Sequence, residues 1–210
     1  TTMQLVELTT AQVQALSTAQ LVALSTSQAN ALKDTQFEKL STAQVAAIET
    51  VDFANLSTAA IVKLTTEQAA NLTTSQVASM TTTQLVKMET ADFASLTSDR
   101  LASLTSTQVG ALTTDQLVAL TTQQASAMTA TQVKGFTTAQ LSKLETQDLA
   151  AFTTSAVAGL SGAQLSGLTT DEIRSITTTQ VSAITATALK SLTTAQIQAL
   201  TTDQLPELTT

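Results

Sequence analysis

The chain has 210 residues, a net charge of −7 and 12% charged residues, a balance that excludes the clustered Lys and Arg a nucleic-acid or anionic-membrane partner requires. Its 43% apolar content is too high for a solvated disordered tail, and with 2% aromatics the core must be thin and aliphatic. With no Cys, His, Tyr or Trp, disulfides, Ser/His or Cys/His nucleophile pairs and zinc sites with imidazole or thiolate ligands are ruled out.

The elements repeat with a strict period of eight. With positions lettered a to h, the first full unit is Leu8-Thr-Thr-Ala-Gln-Val-Gln-Ala, preceded by Thr1 to Glu7, which match b to h. Twenty-five full octads run without insertion from Leu8 to Glu207, and Leu208-Thr-Thr follows. Residues 1–210 therefore read as one array. The pattern starts and stops in mid-register on Thr-Thr, which suggests a segment of a longer array with targeting information elsewhere. No apolar run is long enough to span a bilayer.

Three structures compete for this period. One continuous helix would let the apolar stripe drift by about 80° per octad, beyond what supercoiling absorbs. A β-solenoid suits Thr and Val, but puts the apolar positions a and f on opposite strand faces and lacks corner Gly, Asn and Asp. A short helix per octad fits best. Thr or Ser at b with Gln at e forms a capping box, and apolar a and f stand at the N′ and N4 positions of a hydrophobic staple. Leu16-Ser17-Thr18-Ala19-Gln20-Leu21 carries the whole device. The expectation is an all-α solenoid, a right-handed superhelix of short capped helices from about c to h, with a β-solenoid as the alternative. Helices so short are stable only when stacked. Small residues at h predict close approach of neighbouring turns, with Lys39, Lys63, Lys87 and Lys143 snorkelling outward.

Along the chain, the departures are organised. Ala stands at f in Ala29, Ala69 and Ala125. Three octads after each, Glu replaces Thr at b and Asp replaces Gln at e, giving Glu49/Asp52, Glu89/Asp92 and Glu145/Asp148. One octad later Gln is again missing from e, at Ala60, Arg100 and Ala156. The pattern fits either an old block duplication of about 40 residues or the superhelical turn, and the sequence does not choose between them. In the Glu/Asp units Thr50, Thr90 and Thr146 are expected to take over the N-cap, with Asp beside the positive helix end. The six carboxylates are also the only cation candidates, but two per unit are too few for a closed calcium shell. Pro206, at g of the last octad, removes a helical donor. The sequons Asn55-Leu-Ser and Asn71-Leu-Thr carry no weight in a chain so rich in Ser and Thr.

The core Leu-Thr-Thr-x-Gln-Val/Leu, as at Leu192-Thr-Thr-Ala-Gln-Ile, resembles low-complexity arrays of very large bacterial surface or secreted proteins labelled haemagglutinin-like or haem-utilisation. The resemblance covers the whole chain and implies an extracellular stalk or adhesin context. It does not imply haem binding, since no His, Tyr or Cys is present and Met80, Met88 and Met128 are core positions. The expected function is a non-catalytic spacer, with an adhesin-type module for protein or glycan partners as the alternative. No catalytic residue, cofactor or membrane insertion is expected, and self-association is compatible with the exposed core positions at the array's ends. Thr pairs matching ice or a polysaccharide surface are a remoter reading.

Overall fold

The computed structural model describes residues 1–208. Among them are twenty-five α-helices of four to six residues, one 3₁₀ helix (Leu205–Glu207) and no strand. The expected all-α solenoid of one capped helix per octad is what the chain forms. Each helix starts at position c, as in Thr10–Gln14, Thr18–Val22 and Thr42–Ala47, with b as its N-cap in extended conformation. In Thr9–Gln12 the Gln12 amide donates to the Thr9 hydroxyl at 3.2 Å and the Thr9 amide to Gln12 Oε1 at 2.8 Å. Where e is Ala, half the box survives: the Ala60, Ala156 and Ala188 amides still donate to Ser57, Thr153 and Thr185.

Each helix ends one to three residues before the next a residue, whose amide closes a last turn on the preceding f carbonyl, as Leu16 does on Val13 and Ile48 on Val45. Position a then turns extended, φ −61° and ψ 127° at Ile48, and the chain enters the next cap. Both a and f point into the core of their unit: every f side chain from Leu5 to Val181 and every a side chain from Leu32 to Ile184 is buried. The opposite-face geometry of a strand is therefore excluded for the described residues. Lys39, Lys63, Lys87 and Lys143 are all exposed, as their position h predicts.

The chain divides into two compact units, Thr1–Ser103 and Leu104–Thr210, and the octad register continues through the division. Within each unit a helix packs on the one three octads later: Thr50–Ala54 on Thr74–Ser79 in the first, Thr122–Ser126 on Thr146–Ala151 in the second. Position h meets position c of the previous turn closely. A Cβ on Gly135 would lie 2.1 Å from the Ser106 carbonyl oxygen, so only glycine fits there. In the last octad the Thr201/Gln204 box is intact but no α-helix follows. Pro206 has no amide hydrogen to donate to Thr202, and the segment tightens to 3₁₀.

Candidate functional site: the glutamine ladder and its acidic gaps

The side chains that carry polar chemistry inside the solenoid stand at position e. A glutamine there has two ends, and both are used. Oε1 completes the local cap, and Nε2 reaches across to the preceding turn. Gln44 Nε2 donates to the carbonyls of Val13 at 3.1 Å, Gln14 at 3.1 Å and Leu16 at 2.7 Å. Gln76 binds Val45 and Ile48, Gln84 binds Phe53 and Leu56, Gln164 binds Val133 and Phe136, and Gln196 binds Leu165 and Leu168. The offsets are constant at 31 residues to f and 28 to a. With helices packing three octads apart, one superhelical turn within a unit therefore spans between three and four octads. Gln4, Gln12 and Gln20, with no earlier turn beneath them, are exposed, whereas every later e glutamine from Gln36 is buried.

This ladder explains the organised departures. Offset 31 sets Ala60, Arg100 and Ala156 over Ala29, Ala69 and Ala125. At the middle position Arg100 Nη1 donates to the Ala70 carbonyl in place of the missing amide. The helices bearing the small f residues pack on those bearing Phe53, Phe93 and Leu149 at f, so a small core residue faces a large one across the turn. The correlations inside each block thus follow the superhelical turn. The five- and seven-octad spacing between blocks does not.

The Glu/Asp units correct one expectation. Glu49, Glu89 and Glu145 remain the N-caps, in extended conformation but with no side-chain cap bond, and Thr50, Thr90 and Thr146 are the first helical residues. The extended residue before the helix is fixed by the octad register, and no shift of one residue is available without moving a and f out of the core. The aspartates sit in the first helical turn and are buried. Asp92 Oδ1 accepts from the Thr66 hydroxyl at 2.8 Å, one turn earlier, while Oδ2 has no partner. Both oxygens of Asp148 lack a hydrogen bond, although the Thr122 hydroxyl faces it and favours its charged form. Burial pushes the carboxyls of both Asp92 and Asp148 above the usual range; Thr66 and Thr122 oppose this, and Glu89 and Glu145 add to it. Among the described residues no three acidic side chains gather to hold a metal. Glu49, Asp52, Glu89, Asp92, Glu145 and Asp148 are arranged as separate b/e pairs, each an exposed Glu with a buried Asp.

The sequence reading passed over Glu172, which stands at e where 18 of 26 units have Gln. Its Oε2 accepts from the Thr169 amide at 2.5 Å, and the side chain is 2% exposed. Burial raises its pKa; the Thr169 bonds and Lys143 lower it, and Asp171 raises it. The signal was available in the sequence as an acid in a column otherwise filled by an amide.

Asn55 and Asn71, the sequon residues, each turn the side-chain amide back onto the carbonyl four residues earlier, Val51 and Glu67, at 2.8 Å. An open polar cleft of about 460 Å³ in the first unit is lined by residues including Glu38, Lys39, Ser41, Thr65 and Glu67. Lys39 is paired with Glu38 at 2.9 Å. No described helix is long and apolar enough to cross a membrane.

A family model described as the ALTTAQ repeat matches residues 5–42, 45–82, 85–122, 141–178 and 173–210. All five matches begin at position f, in one octad register. Comparison with curated proteins finds no match.

Proposed function

The chain belongs to the ALTTAQ repeat family, and we propose that it serves as a non-catalytic spacer within a large bacterial surface or secreted protein. The observation that carries this reading is the use made of the buried polar side chains. The ladder glutamines cap their own helix with one end and tie down the previous turn with the other. Such a chain lengthens by adding octads, each joined to the last turn by the same bonds, and needs no partner to complete its core. The surface context rests on the likeness of Leu-Thr-Thr-x-Gln to arrays in bacterial surface and secreted proteins.

The test is a series of chains that differ by whole blocks of four octads, measured by small-angle scattering. A spacer's maximum dimension grows in proportion to the octads added; a dimension that stays constant as octads are added defeats the reading. Saturable binding of a glycan or protein that is lost on substituting exposed d and g residues would replace the spacer with an adhesin-type module. Surface exposure is tested by protease shaving of intact cells that make the parent protein.

A further inference from the structure

Glu172 occupies a rung whose geometry was made for an amide. On either side of it in the same unit, Gln164 reaches Val133 and Phe136 and Gln180 reaches Leu149 and Phe152, with the a carbonyl nearer in both: 2.8 Å for Phe136 and 2.6 Å for Phe152. The same offsets from Glu172 lead to Leu141 and Leu144. Glu and Gln have the same length, and Glu172 makes the same local cap through Oε2. By the octad register its second oxygen corresponds to the Nε2 of a glutamine rung, the atom that meets the a carbonyl from Gln164 and from Gln180. An ionised carboxylate has nothing to donate there, and acceptor against acceptor in a buried position is repulsive.

We propose that Glu172 acts as a protonated rung, its carboxylic acid proton donated from the oxygen not held by Thr169 to the main-chain carbonyl of Leu144, so that this link between turns closes in mild acid and opens as the pH rises. The proton comes from solvent and returns to it, and no bond other than this hydrogen bond changes. The charged neighbours that set the balance are few. Asp171 on the same helix favours the neutral form and Lys143, at the end of the octad below, opposes it. Arg174 on the same helix is paired with Asp171 at 3.0 Å. The helix packed below, Thr146–Ala151, brings Asp148 and follows Glu145; the helix packed above, Thr194–Ala199, brings no titratable group. The sum of burial and these charges raises the carboxyl's pKa.

The experiment uses the whole chain with ¹³C-labelled glutamate. The Glu172 carboxyl resonance is identified by its loss in Glu172→Gln and followed through a pH titration, and urea midpoints of both proteins are recorded across the same range. The expected result is a Glu172 that titrates above the ordinary glutamate range. The Glu172→Gln chain, whose amide donates at every pH, should resist urea better than the original at neutral pH and lose part of its pH dependence. A Glu172 that titrates within the ordinary glutamate range overturns the proposal, and that readout needs no variant to fold. So does a Glu172→Gln chain that is weaker at neutral pH. A third arm adds calcium or potassium chloride at neutral pH. A midpoint raised in the original and not in Glu172→Gln means that the carboxylate and carbonyls share a cation, which also overturns the protonated rung.

Discussion

The side-chain amide of Gln44 donates to the main-chain carbonyl of Leu16, 28 residues earlier, at 2.7 Å, while the other end of the same amide group accepts from the Ser41 amide three residues earlier. One side chain thus fixes both the start of its helix and the height of the turn.

The two roles separate by position. Gln12 is exposed and only caps, whereas Gln140 is buried, caps Thr137 and also binds the carbonyls of Val109, Gly110 and Leu112. Replacing Gln12 by Ala should cost about 0.5–1 kcal/mol. Replacing Gln140 by Ala should cost about 1–3 kcal/mol, because buried carbonyls lose their donor. Denaturant unfolding with amide hydrogen exchange resolves the two; equal losses would mean that Nε2 contributes nothing.

Gly135→Ala tests the close approach of successive turns. Gly135 lies in the turn just after the helix Ala130–Val133, and an alanine Cβ there would stand 2.1 Å from the Ser106 carbonyl oxygen. The substitution should destabilise by about 1–3 kcal/mol, as overpacking does. A thermal midpoint unchanged or raised would contradict the close approach of h and c.

The Ala/Phe pairing predicts coupling. Ala69→Leu adds volume where the helix Thr66–Ala70 meets Thr90–Ala94, and Phe93→Ala removes it; each alone should destabilise, the first by about 1–3 and the second by about 3–5 kcal/mol. The double variant should be more stable than the sum of the two losses implies, which a double-mutant cycle reads directly. Strict additivity would mean that the two columns do not share space.

The buried aspartates make folding take up protons. The carboxyls of Asp92 and Asp148 lie above the ordinary range in the folded chain, chiefly through burial. A raised folded pKa contributes stability that is complete below the unfolded carboxyl's pKa and is lost as pH rises through the folded one. Urea midpoints should therefore fall with increasing pH across that window. Asp148→Asn should flatten the profile and raise the midpoint at neutral pH; an unchanged slope would show that Asp148 does not titrate out of range.

Millimolar calcium should leave the thermal midpoint of the full chain unchanged, since the b/e pairs at Glu49/Asp52, Glu89/Asp92 and Glu145/Asp148 offer two carboxylates each and no described group of three exists. A concentration-dependent rise in midpoint would reopen these residues as a cation site.

How far each feature could be read in the sequence depends on how far apart its parts lie. Thr9 and Gln12 are three residues apart and Leu8 and Val13 five, so the cap, the staple and the shared core face were visible in one octad. Thr50, Thr90 and Thr146 were misassigned as caps because Glu is a poor cap in isolation, whereas the register of the whole array holds Glu49, Glu89 and Glu145 there. The joint occurrence of Ala69, Asp92 and Arg100 was visible as a pattern and lacked only its physical cause: Thr66 bonded to Asp92, and Arg100 over Ala70.

The sequence by itself determined the octad register, the helix per octad and the two core columns, because each of these is decided by side chain to backbone bonds and spacings within about six residues. Only the tertiary structure decided the number of octads in a turn and the second task of glutamine. In an array of near-identical units every earlier carbonyl is an equivalent partner on paper. The one that Gln44 or Gln140 meets is chosen by how successive helices pack, a property of the stacked turns that no single unit contains.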